Sequence, residues 1–418
     1  MKDEIITGLD IGSTTIKAVV GQPLTVQGEE RRLHIIAAAE HESQGVNRGQ
    51  ITSLEDATSA ISLCIDSLER KLGVPIDTAW VGISGGHIIS QASRGVVAVG
   101  KVNGEISRQD VERALEAAKT IATPPNYDIL HVIPRSAAID GRAGIKDPIG
   151  MLGVRLEMDT HIVLGLSSFV KTFTKCVYRT GLEIEDLVFS PLAAAETLLT
   201  SRQKELGVAL VIIGGSSTCI VIYEQGELLH TAVIPIGSEH ITADIAIGLR
   251  LGLETAEKIK LHYGTLFTRE VNKKSEIDLA EIDPVEHGTV SHKYISEIIE
   301  ARVEEILDKI ELELKKVGRN GVLPAGVVLT GGGSRLPGIL EFAKKRLKLP
   351  ASITVPRNVV ADDPHILDNQ EFTTAIGLAQ WGFDLSLQRS QGGGMFGAMH
   401  ASGDLQDRVK KWLKSLLP

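Results

Sequence analysis

A strand–turn–strand pattern that occurs twice, half a chain apart, constrains the fold of this sequence most strongly. In the first copy, an apolar run at 5–9 precedes a turn of small polar residues and a second apolar run at 16–20. The pattern returns at 208–223, and placing Asp10 over Ile212 aligns the two copies. Apolar runs of this length around Gly and Ser favour β-hairpins. Two such units predict an α/β protein of two similar lobes that face each other across a cleft, with a ligand between them.

A third glycine-rich segment lies at 330–335, directly after an apolar strand pattern at 326–329. It leads into a predicted helix at 337–346, since a polar, glycine-rich stretch before helical periodicity is typical of a helix start. We therefore expect a strand of the second lobe to pass through this segment into a helix N-terminus.

The sequence between the two hairpins contains an additional folding unit at 84–164. It has its own helical pattern at 108–121 and period-two segments at 130–139 and 155–164. Helical and strand periodicities mixed over such a short stretch predict a small α+β insertion.

The three glycine-rich segments have the chemistry of a polyphosphate site. Turns of small residues let backbone N–H groups approach a phosphate, and hydroxyl side chains add further donors. Asp10, at a strand end, is suited to hold the waters of a Mg²⁺ ion, and Lys17 is suited to offset the remaining charge. Three ordinary tight turns are the alternative, but their order and the duplication favour a ligand site. The candidates are Asp10, Gly12, Ser13, Thr14, Thr15 and Lys17 in the first segment, Gly214, Gly215, Ser216 and Ser217 in the second, and Gly331, Gly332, Gly333 and Ser334 in the third.

Composition excludes several classes of protein. The chain has 418 residues, of which 43% are hydrophobic, so it can bury two or three domain cores. Its net charge of -9 argues against a general nucleic-acid binder. The three cysteines are far apart and have no metal-ligand spacing, which fits a reducing compartment. Neither a signal peptide nor an apolar run long enough to span a bilayer is present, so we expect a cytoplasmic chain.

The C-terminal region differs from the rest of the chain. Residues 388–403 contain three consecutive glycines and no apolar periodicity, which predicts a flexible linker. Helical periodicity returns at 405–417 with one apolar and one basic face, as in helices that lie on anionic membranes. The alternative is a terminal helix docked on the protein's own core, but the linker favours an anchor. The membrane candidates are Leu405, Arg408, Val409, Lys410, Lys411, Trp412, Leu413, Lys414, Leu416 and Leu417.

Several segments resemble known families. Residues 8–17 resemble the first phosphate motif of the actin, Hsp70 and sugar-kinase superfamily, and 329–334 resemble its adenosine motif. Other segments narrow the resemblance to the FtsA family of bacterial cell-division proteins, from about residue 5 to 383 and again at the tail. These segments are 81–87, 130–134, 144–150, 242–246 and 373–378.

The resemblance implies an α/β, two-lobed, actin-like (duplicated ribonuclease-H-like) fold with an inserted SHS2-type 1C subdomain and a C-terminal amphipathic helix. In this family, subdomain 1C takes part in self-assembly and in contacts with partners. The expected division is 1–83, 165–197 and 363–385 for subdomain 1A, 84–164 for 1C, 198–240 and 308–362 for 2A, 241–307 for 2B, 386–403 for the linker and 404–418 for the helix.

Two further candidates follow from the resemblance. Glu257 and Lys260, on a predicted helix at 255–262, fall where the superfamily contacts the adenosine of ATP. Their i, i+3 spacing puts both on one helix face, although a solvated charged face would have the same spacing.

The second phosphate segment departs from the family pattern. Members with an intact segment carry D-I-G-G-G-T-x-D, whereas this chain has Ile212 and Cys219 at the two acidic positions. An aliphatic side chain cannot orient a water or a metal's hydration shell. We therefore expect ATP binding, with Mg²⁺ weakly held at Asp10, and slow or absent hydrolysis.

The function implied by the resemblance is that of an adapter rather than an enzyme. It would bind ATP, self-associate and tether the tubulin-like protein FtsZ to the cytoplasmic face of the cell membrane at the division site. In the family the FtsZ tail docks on 2B, where 299–302 match a helix segment except that Ala301 replaces the usual proline. Arg302 is the candidate contact for that acidic tail, with a solvated helix face as the alternative. Anionic lipids, other division proteins and a second copy of the chain are the further expected partners, and nucleic acid is not expected.

Three other functions fit parts of this sequence less well. A sugar-kinase-type enzyme needs a carboxylate base on a bound hydroxyl, and the altered second segment disfavours it. An Hsp70-like chaperone needs a substrate domain, for which the linker and tail leave no room. Pilus-assembly relatives share a 1C-type insertion, but the amphipathic C-terminal helix disfavours them.

Overall fold

Three large β-sheets organise the chain, one in each lobe and one in the domain inserted between them. The structure is a computed structural model that describes residues 5–24 and 31–390. The predicted membrane helix, 404–418, and the predicted linker beyond Ser390 lie outside the described residues.

The described elements are numbered in chain order. The strands are β1 Ile6–Ile11, β2 Thr15–Leu24, β3 Arg32–Glu42, β4 Val46–Asn47, β5 Gln50–Ile51, β6 Thr78–Ile83, β7 Ile88–Ala98, β8 Tyr127–Ile139, β9 Arg142–Ile145, β10 Arg155–Leu166, β11 Glu183–Phe189, β12 Val208–Ile213, β13 Thr218–Glu224, β14 Glu227–Ile234, β15 Glu276–Asp278, β16 Thr289–Ser291, β17 Val327–Thr330, β18 Ala351–Ile353 and β19 Val359–Ala361. The helices are α1 Leu54–Leu72, α2 Arg108–Ala122, α3 Ser167–Tyr178, α4 Ser190–Leu198, α5 Ser201–Leu206, α6 Ser238–Leu249, α7 Leu253–Tyr263, α8 His292–Lys316, α9 Ile339–Leu347, α10 His365–Asp368 and α11 Thr373–Ser390.

The two lobes are built on the same strand arrangement. The first lobe has a six-stranded sheet in the order β11-β6-β1-β2-β3-β19, and the second has a five-stranded sheet in the order β14-β13-β12-β17-β18. In each lobe an antiparallel hairpin, β1–β2 or β12–β13, also pairs in parallel with a later strand, β6 or β17. The predicted duplication is thus confirmed at the level of strand pairing.

The two hairpins also share their register. Asp10 lies opposite Lys17 in the first hairpin, and Ile212 lies opposite Cys219 in the second. These are the positions that the sequence alignment of the two copies equates. Each hairpin therefore delivers the end of its first strand and the following turn to the same place in its lobe.

Close packing behind β1 fixes the position of the first turn. Helix α11 lies across β1, and a Cβ at Gly8 would overlap the carbonyl oxygen of Ala375. A Cβ at Gly377 would come within 2.4 Å or so of the Ala193 carbonyl on α4 and could not be accommodated without a shift. The two glycines let α11 and α4 pack tightly beneath the strand that carries Asp10.

The inserted domain consists of the sheet β7-β10-β8-β9 with α2 packed on it. Ser107 caps α2, and its backbone N–H donates to the Asp110 carboxylate at 2.8 Å. Hydrogen bonds from the Ser107 side chain and backbone hold the pKa of Asp110 well below its usual range. A Cβ at Gly95 would overlap the Ala114 carbonyl, which shows how closely α2 approaches β7.

The inserted domain also contacts the second lobe through β14. Ser90 Oγ donates to the carbonyl oxygen of Thr231 at 2.9 Å, and His161 Nε2 lies 3.1 Å from Thr231 Oγ1. The second lobe is therefore contacted both by the first hairpin turn and by this domain.

Two predicted boundaries were wrong. Helix α11 continues to Ser390, so residues 386–390 of the predicted linker, including Gln388, are helical. The physical reason is that Leu385 is buried and Leu387 packs against the same core cluster, which extends the apolar face of the helix. Helix α9 begins at Ile339 rather than 337, because Gly338 has φ +87 and Pro337 precedes it.

Candidate functional site

The turns of the two hairpins face each other and make direct contact. Ser216 Oγ donates to Ser13 Oγ at 2.8 Å, and Thr14 Oγ1 donates to Glu239 Oε1 at 2.7 Å. A Cβ at Gly215 would overlap Thr14 Oγ1, so a larger residue there would displace the Thr14 side chain. The first and second predicted segments therefore meet at one place in the cleft.

The backbones of the two turns are alike. Gly12 N–H donates to the Thr15 carbonyl at 3.2 Å, and Gly214 N–H donates to the Ser217 carbonyl at 2.9 Å. These two bonds occupy equivalent positions, and they give both turns the compact shape that sequence analysis assigned to a phosphate cradle.

The first turn of α6 is anchored on the second hairpin turn. The backbone N–H groups of Ser238 and Glu239 donate to the carbonyls of Gly214 and Gly215, both at 2.8 Å. Ser238 Oγ also donates to the Gly214 carbonyl, at 3.2 Å. Glu239 was not a predicted site residue, since no motif or periodicity marks it in the sequence.

The third segment packs beside the second hairpin. A Cβ at Gly331 would come within 2.6 Å of the Ile213 carbonyl, and one at Gly333 would overlap the Ile213 side chain. Ser334 Oγ donates to the Gly331 carbonyl at 2.7 Å and is buried. Gly332 is more open, with the Glu371 side chain 3.6 Å from where its Cβ would be. The structure thus brings all three predicted segments together.

Asp10 lies at the end of β1, beside the start of α4. Ser190 Oγ donates to Asp10 Oδ1 at 3.5 Å, and Gly82 stands next to both side chains without space for a Cβ. Burial raises the pKa of Asp10 to about 6, although Lys17 and Ser190 act to lower it. A carboxylate in such a poorly solvated place gains from a cation that joins it.

Lys17 is buried and already paired. Its Nζ lies 3.1 Å from Glu371 Oε2, and Arg335 Nη1 donates to the other oxygen of Glu371 at 2.7 Å. Lys17 Nζ also donates to Thr15 Oγ1. Burial by itself would raise the pKa of Glu371, but Lys17 and Arg335 outweigh it and hold the pKa below its usual value.

This ion-pair chain joins the two lobes. Lys17 belongs to β2 of the first lobe, whereas Arg335 is the last residue of the third segment, in the second lobe. Arg335 lies in the third segment but was not predicted as a site residue, and Glu371 belongs to no motif. Their pairing depends on a long-range contact that the sequence does not show.

Glu257 and Lys260 lie on one face of α7, as the i, i+3 spacing predicts, and they face α6. Lys260 Nζ is 2.6 Å from Glu257 Oε2 and donates to Thr242 Oγ1 at 2.8 Å. Lys260 Nζ also lies 3.4 Å from the Ser238 carbonyl, beside the second turn. The pair is therefore next to the cleft, and its contact with adenosine stays a prediction.

Arg302 lies apart from the cleft, on α8, and is bound within the fold. Its Nε and Nη2 donate to the two oxygens of Asp244 at 2.6 and 2.9 Å, and Nη1 donates to Glu305. The guanidinium of this predicted partner contact is thus already paired with the Asp244 carboxylate.

The second hairpin has no acid at the two altered positions. Cys219 Sγ lies 3.2 Å from Ser84 Oγ, and burial raises the pKa of its thiol to about 11. Ile212 packs against the core and lies beside Gly331. A neutral thiol and an aliphatic chain supply neither a base nor a hard metal ligand.

The donor set of the cleft suits Mg²⁺ and not a metal held by protein alone. Within 5–24 and 31–390, no group of three or more His, Cys, Asp or Glu side chains could hold a metal ion. Mg²⁺ is commonly held by one or two carboxylates together with substrate phosphates, and Asp10 beside the glycine turns fits that pattern.

A search of the same described ranges for membrane spans found no helix with the length and apolar character needed to cross a bilayer.

Two duplicated α/β lobes with facing glycine turns define an actin-like protein, and solved structures share this fold. The type IV pilus PilM–PilN complex is 18% identical with a TM-score of 0.65, and covers 90% of this chain and 98% of that chain. MreB5 of Spiroplasma citri, bound to ADP, is 13% identical with a TM-score of 0.53, covering 93% and 99%.

Sequence comparisons identify the family. The model for cell division protein FtsA matches residues 209–377, and the model for the SHS2 domain inserted in FtsA matches 85–164. Cell division protein FtsA of Pseudomonas aeruginosa is 33% identical over 414 residues, 98% of each chain. That of Bacillus subtilis is 37% identical over 379 residues, which is 91% of this chain and 83% of that protein. This chain belongs to the FtsA family of cell-division proteins.

The predicted resemblance and fold class are thereby confirmed, including the inserted SHS2 domain. The predicted C-terminal helix lies outside the described residues. The FtsA proteins of Pseudomonas aeruginosa and Neisseria meningitidis are 33% and 35% identical over 98% of this chain, whereas the pilus complex at 18% identity shares the fold alone.

Proposed function

We propose that this chain is an ATP-binding, self-associating adapter that tethers FtsZ to the cytoplasmic face of the membrane at the division site. The observation that carries this proposal is the cleft itself, in which two equivalent hairpin turns meet but only one keeps an acid. Membership of the FtsA family supports a role in cell division. The missing acids of the second hairpin support an adapter rather than an enzyme.

The nucleotide would lie between the hairpin turns, with its phosphates against the backbone of residues 12–15 and 214–217. The shared fold with MreB5, which binds ADP, supports this position. Asp10 would hold Mg²⁺, which supplies positive charge that neutralises the phosphates. Glu257 and Lys260, next to the second turn, would contact the adenosine.

Hydrolysis would be slow or absent because the second hairpin lacks the two acids that would orient the attacking water. Ile212 offers no hydrogen bond, and Cys219 keeps its proton at physiological pH since its pKa is raised to about 11. ATP would then act as a structural ligand that stabilises one arrangement of the lobes.

Arg302 is proposed as a contact for the acidic tail of FtsZ. Because Asp244 already occupies its guanidinium fork, the tail carboxylate would exchange with Asp244 instead of meeting a free cation. Arg319 is a matched control, since it makes the same kind of forked pair with Glu224, at 2.7 and 2.6 Å.

The matched pair gives a direct test with a peptide of the FtsZ tail. Arg302→Ala should weaken peptide binding about tenfold, as for one charged contact at an interface, and Arg319→Ala should leave it unchanged. Wild-type affinity in Arg302→Ala would remove Arg302 from the proposal.

The membrane anchor is assigned to residues 405–417, whose sequence alternates Leu, Val and Trp with Arg and Lys at helical spacing. The whole proposed function is tested by measuring membrane binding and FtsZ recruitment in one experiment. We would sediment anionic vesicles with FtsZ, ATP and either the full chain or a chain that ends at Asp404. The full chain should carry FtsZ into the pellet, and the shortened chain should leave both proteins in solution.

Neutral vesicles serve as the control for the basic face of the tail, and binding to them should fall. Recruitment of FtsZ by the shortened chain would refute the anchor. Failure of the full chain to recruit FtsZ would refute the adapter.

A further inference from the structure

Glu239 places a carboxylate at the point where the two hairpin turns meet. Its Oε1 accepts from Thr14 Oγ1 of the opposite lobe at 2.7 Å, and its backbone N–H is held by the Gly215 carbonyl at 2.8 Å. A Cβ at Gly215 would come within 2.7 Å of the same Oε1. The carboxylate therefore lies directly over the second turn and is fixed there from both ends.

The charge of Glu239 is not neutralised by its neighbours. Among the described residues, it makes no ion pair with a Lys, Arg or His nitrogen. The two nearby lysines of the cleft are committed elsewhere, since Lys17 pairs with Glu371 at 3.1 Å and Lys260 with Glu257 at 2.6 Å. A negative charge thus remains beside turns whose backbone N–H groups suit an anion.

Glu239 thus gives the second lobe a carboxylate at the cleft, which comes from helix α6 and not from the hairpin. Positions 212 and 219, opposite each other in the β12–β13 register, are Ile and Cys. Glu239 reaches the same turn from α6. A carboxylate in this place repels a bare polyphosphate and attracts one that carries a divalent cation.

We propose that Glu239 makes polyphosphate binding in this cleft depend on the divalent cation, by opposing free ATP and by accepting hydrogen bonds from water on the metal of Mg·ATP. This inference rests on the proposed nucleotide function of the same cleft. It assigns to Glu239 a selective role that is separate from hydrolysis, so binding alone can test it.

The test is the affinity of the full-length chain for a fluorescent ATP analogue, mant-ATP, in excess Mg²⁺ and in excess EDTA. The quantity of interest is the ratio of the two affinities. In Glu239→Gln the affinity in EDTA should rise about tenfold while that in Mg²⁺ falls, so the ratio should collapse. Glu239→Asp keeps the charge and should recover a large part of the ratio.

Glu254→Gln is the matched control, because Glu254 lies in the first turn of the neighbouring helix α7 and is exposed. Its ratio should equal that of the wild type. The thermal unfolding temperatures of all variants establish that each is folded before the affinities are compared.

Two failures are distinguishable. If the wild type binds mant-ATP and Glu239→Gln keeps the wild-type ratio, the role of Glu239 is overturned and the nucleotide site stands. If the wild type binds mant-ATP in neither condition, both the nucleotide site and this inference are overturned.

Discussion

The two hairpins of this protein have the same backbone and opposite chemistry. Asp10 faces Lys17 across β1 and β2, whereas Ile212 faces Cys219 across β12 and β13. The turn hydrogen bonds are equivalent, at 3.2 Å in the first hairpin and 2.9 Å in the second. The two turns thus share a backbone shape, although only the first strand end carries an acid.

The replaced pair in the second lobe has a structural role of its own. Ile212 packs against the core beneath the third glycine segment, and its Cγ2 would lie 3.2 Å from a Cβ at Gly331. The lobe therefore gains apolar packing where the first lobe has a charged pair. The side chains at 212 and 219 can therefore lack acidic groups while the turn keeps its shape, because the backbone of the turn makes the hydrogen bonds that fix that shape.

The largest expected effect comes from Gly215, the residue at which the hairpins touch. Gly215→Ala would push its methyl group against the side chains of Thr14 and Glu239 and disrupt the contact between the turns. Overpacking of this kind costs about 1–3 kcal/mol, so the affinity for mant-ATP should fall about tenfold to 100-fold. Gly252→Ala is the control, since nothing lies within 4 Å of its Cβ.

An unchanged affinity in Gly215→Ala would mean that the nucleotide does not need the hairpins to meet, and the comparison of the two turns would lose its functional meaning.

The second-largest expected effect compares the Mg·ATP affinities of variants at the two equivalent strand ends, Asp10 and Ile212. Asp10→Asn should lower the affinity for Mg·ATP about tenfold, because one carboxylate is removed from the cation. Ile212→Val, at the equivalent position, should change it less than about twofold, since only one methylene is lost. Calorimetric titration with Mg·ATP measures both. Equal losses in the two variants would show that the hairpins do not differ in the way described.

A third comparison concerns stability at the paired positions. Lys17→Met leaves Glu371 half-buried with Arg335 alone and should lower the free energy of unfolding by about 2 kcal/mol near neutral pH. Cys219→Ser, at the matching position, should cost about 1 kcal/mol or less. Urea unfolding monitored by circular dichroism compares the two variants.

The stability difference between the wild type and Lys17→Met should depend on pH in a definite direction. The pKa of Glu371 is held below its usual value, so its pairing stabilises the fold above the pKa of the unfolded chain and stops doing so as pH falls through the folded pKa. The difference between wild type and Lys17→Met should therefore shrink on acidification. A difference that grew instead would contradict this assignment.

The smallest expected effect belongs to the hydroxyl contact between the turns. Ser216→Ala removes the 2.8 Å bond to Ser13 but leaves the backbone in place. One hydrogen bond contributes about 1 kcal/mol, so the affinity for mant-ATP should change by less than about tenfold. A complete loss of binding would mean that the hydroxyls, and not the backbone, form the cradle.

Local patterns in the sequence were enough to predict the elements that carry the site. The helix expected at 108–121 is α2, Arg108–Ala122, and the one expected at 255–262 is α7, Leu253–Tyr263. Apolar runs around small residues likewise predicted both hairpins, and aligning Asp10 with Ile212 predicted their common register.

Contacts between distant segments could not be predicted in the same way. Glu239 and Glu371 carry no motif, and each acts through a residue on another lobe or segment, Thr14 and Lys17. Arg302 was singled out as a partner contact, but nothing in the sequence pointed to its pairing with Asp244 on another helix. The end of α11 depends on the burial of Leu385, which is a tertiary effect as well.

We propose that the cleft binds ATP with a second turn that does not support hydrolysis. A single-turnover experiment tests it most directly, with limiting Mg·ATP bound to excess protein and the ADP formed followed over time. We expect the bound ATP to stay intact for many minutes, which is a far slower turnover than the roughly 1–100 s⁻¹ of kinases. Release of ADP at kinase-like rates would contradict it, because Ile212 and Cys219 would then not have removed the chemistry.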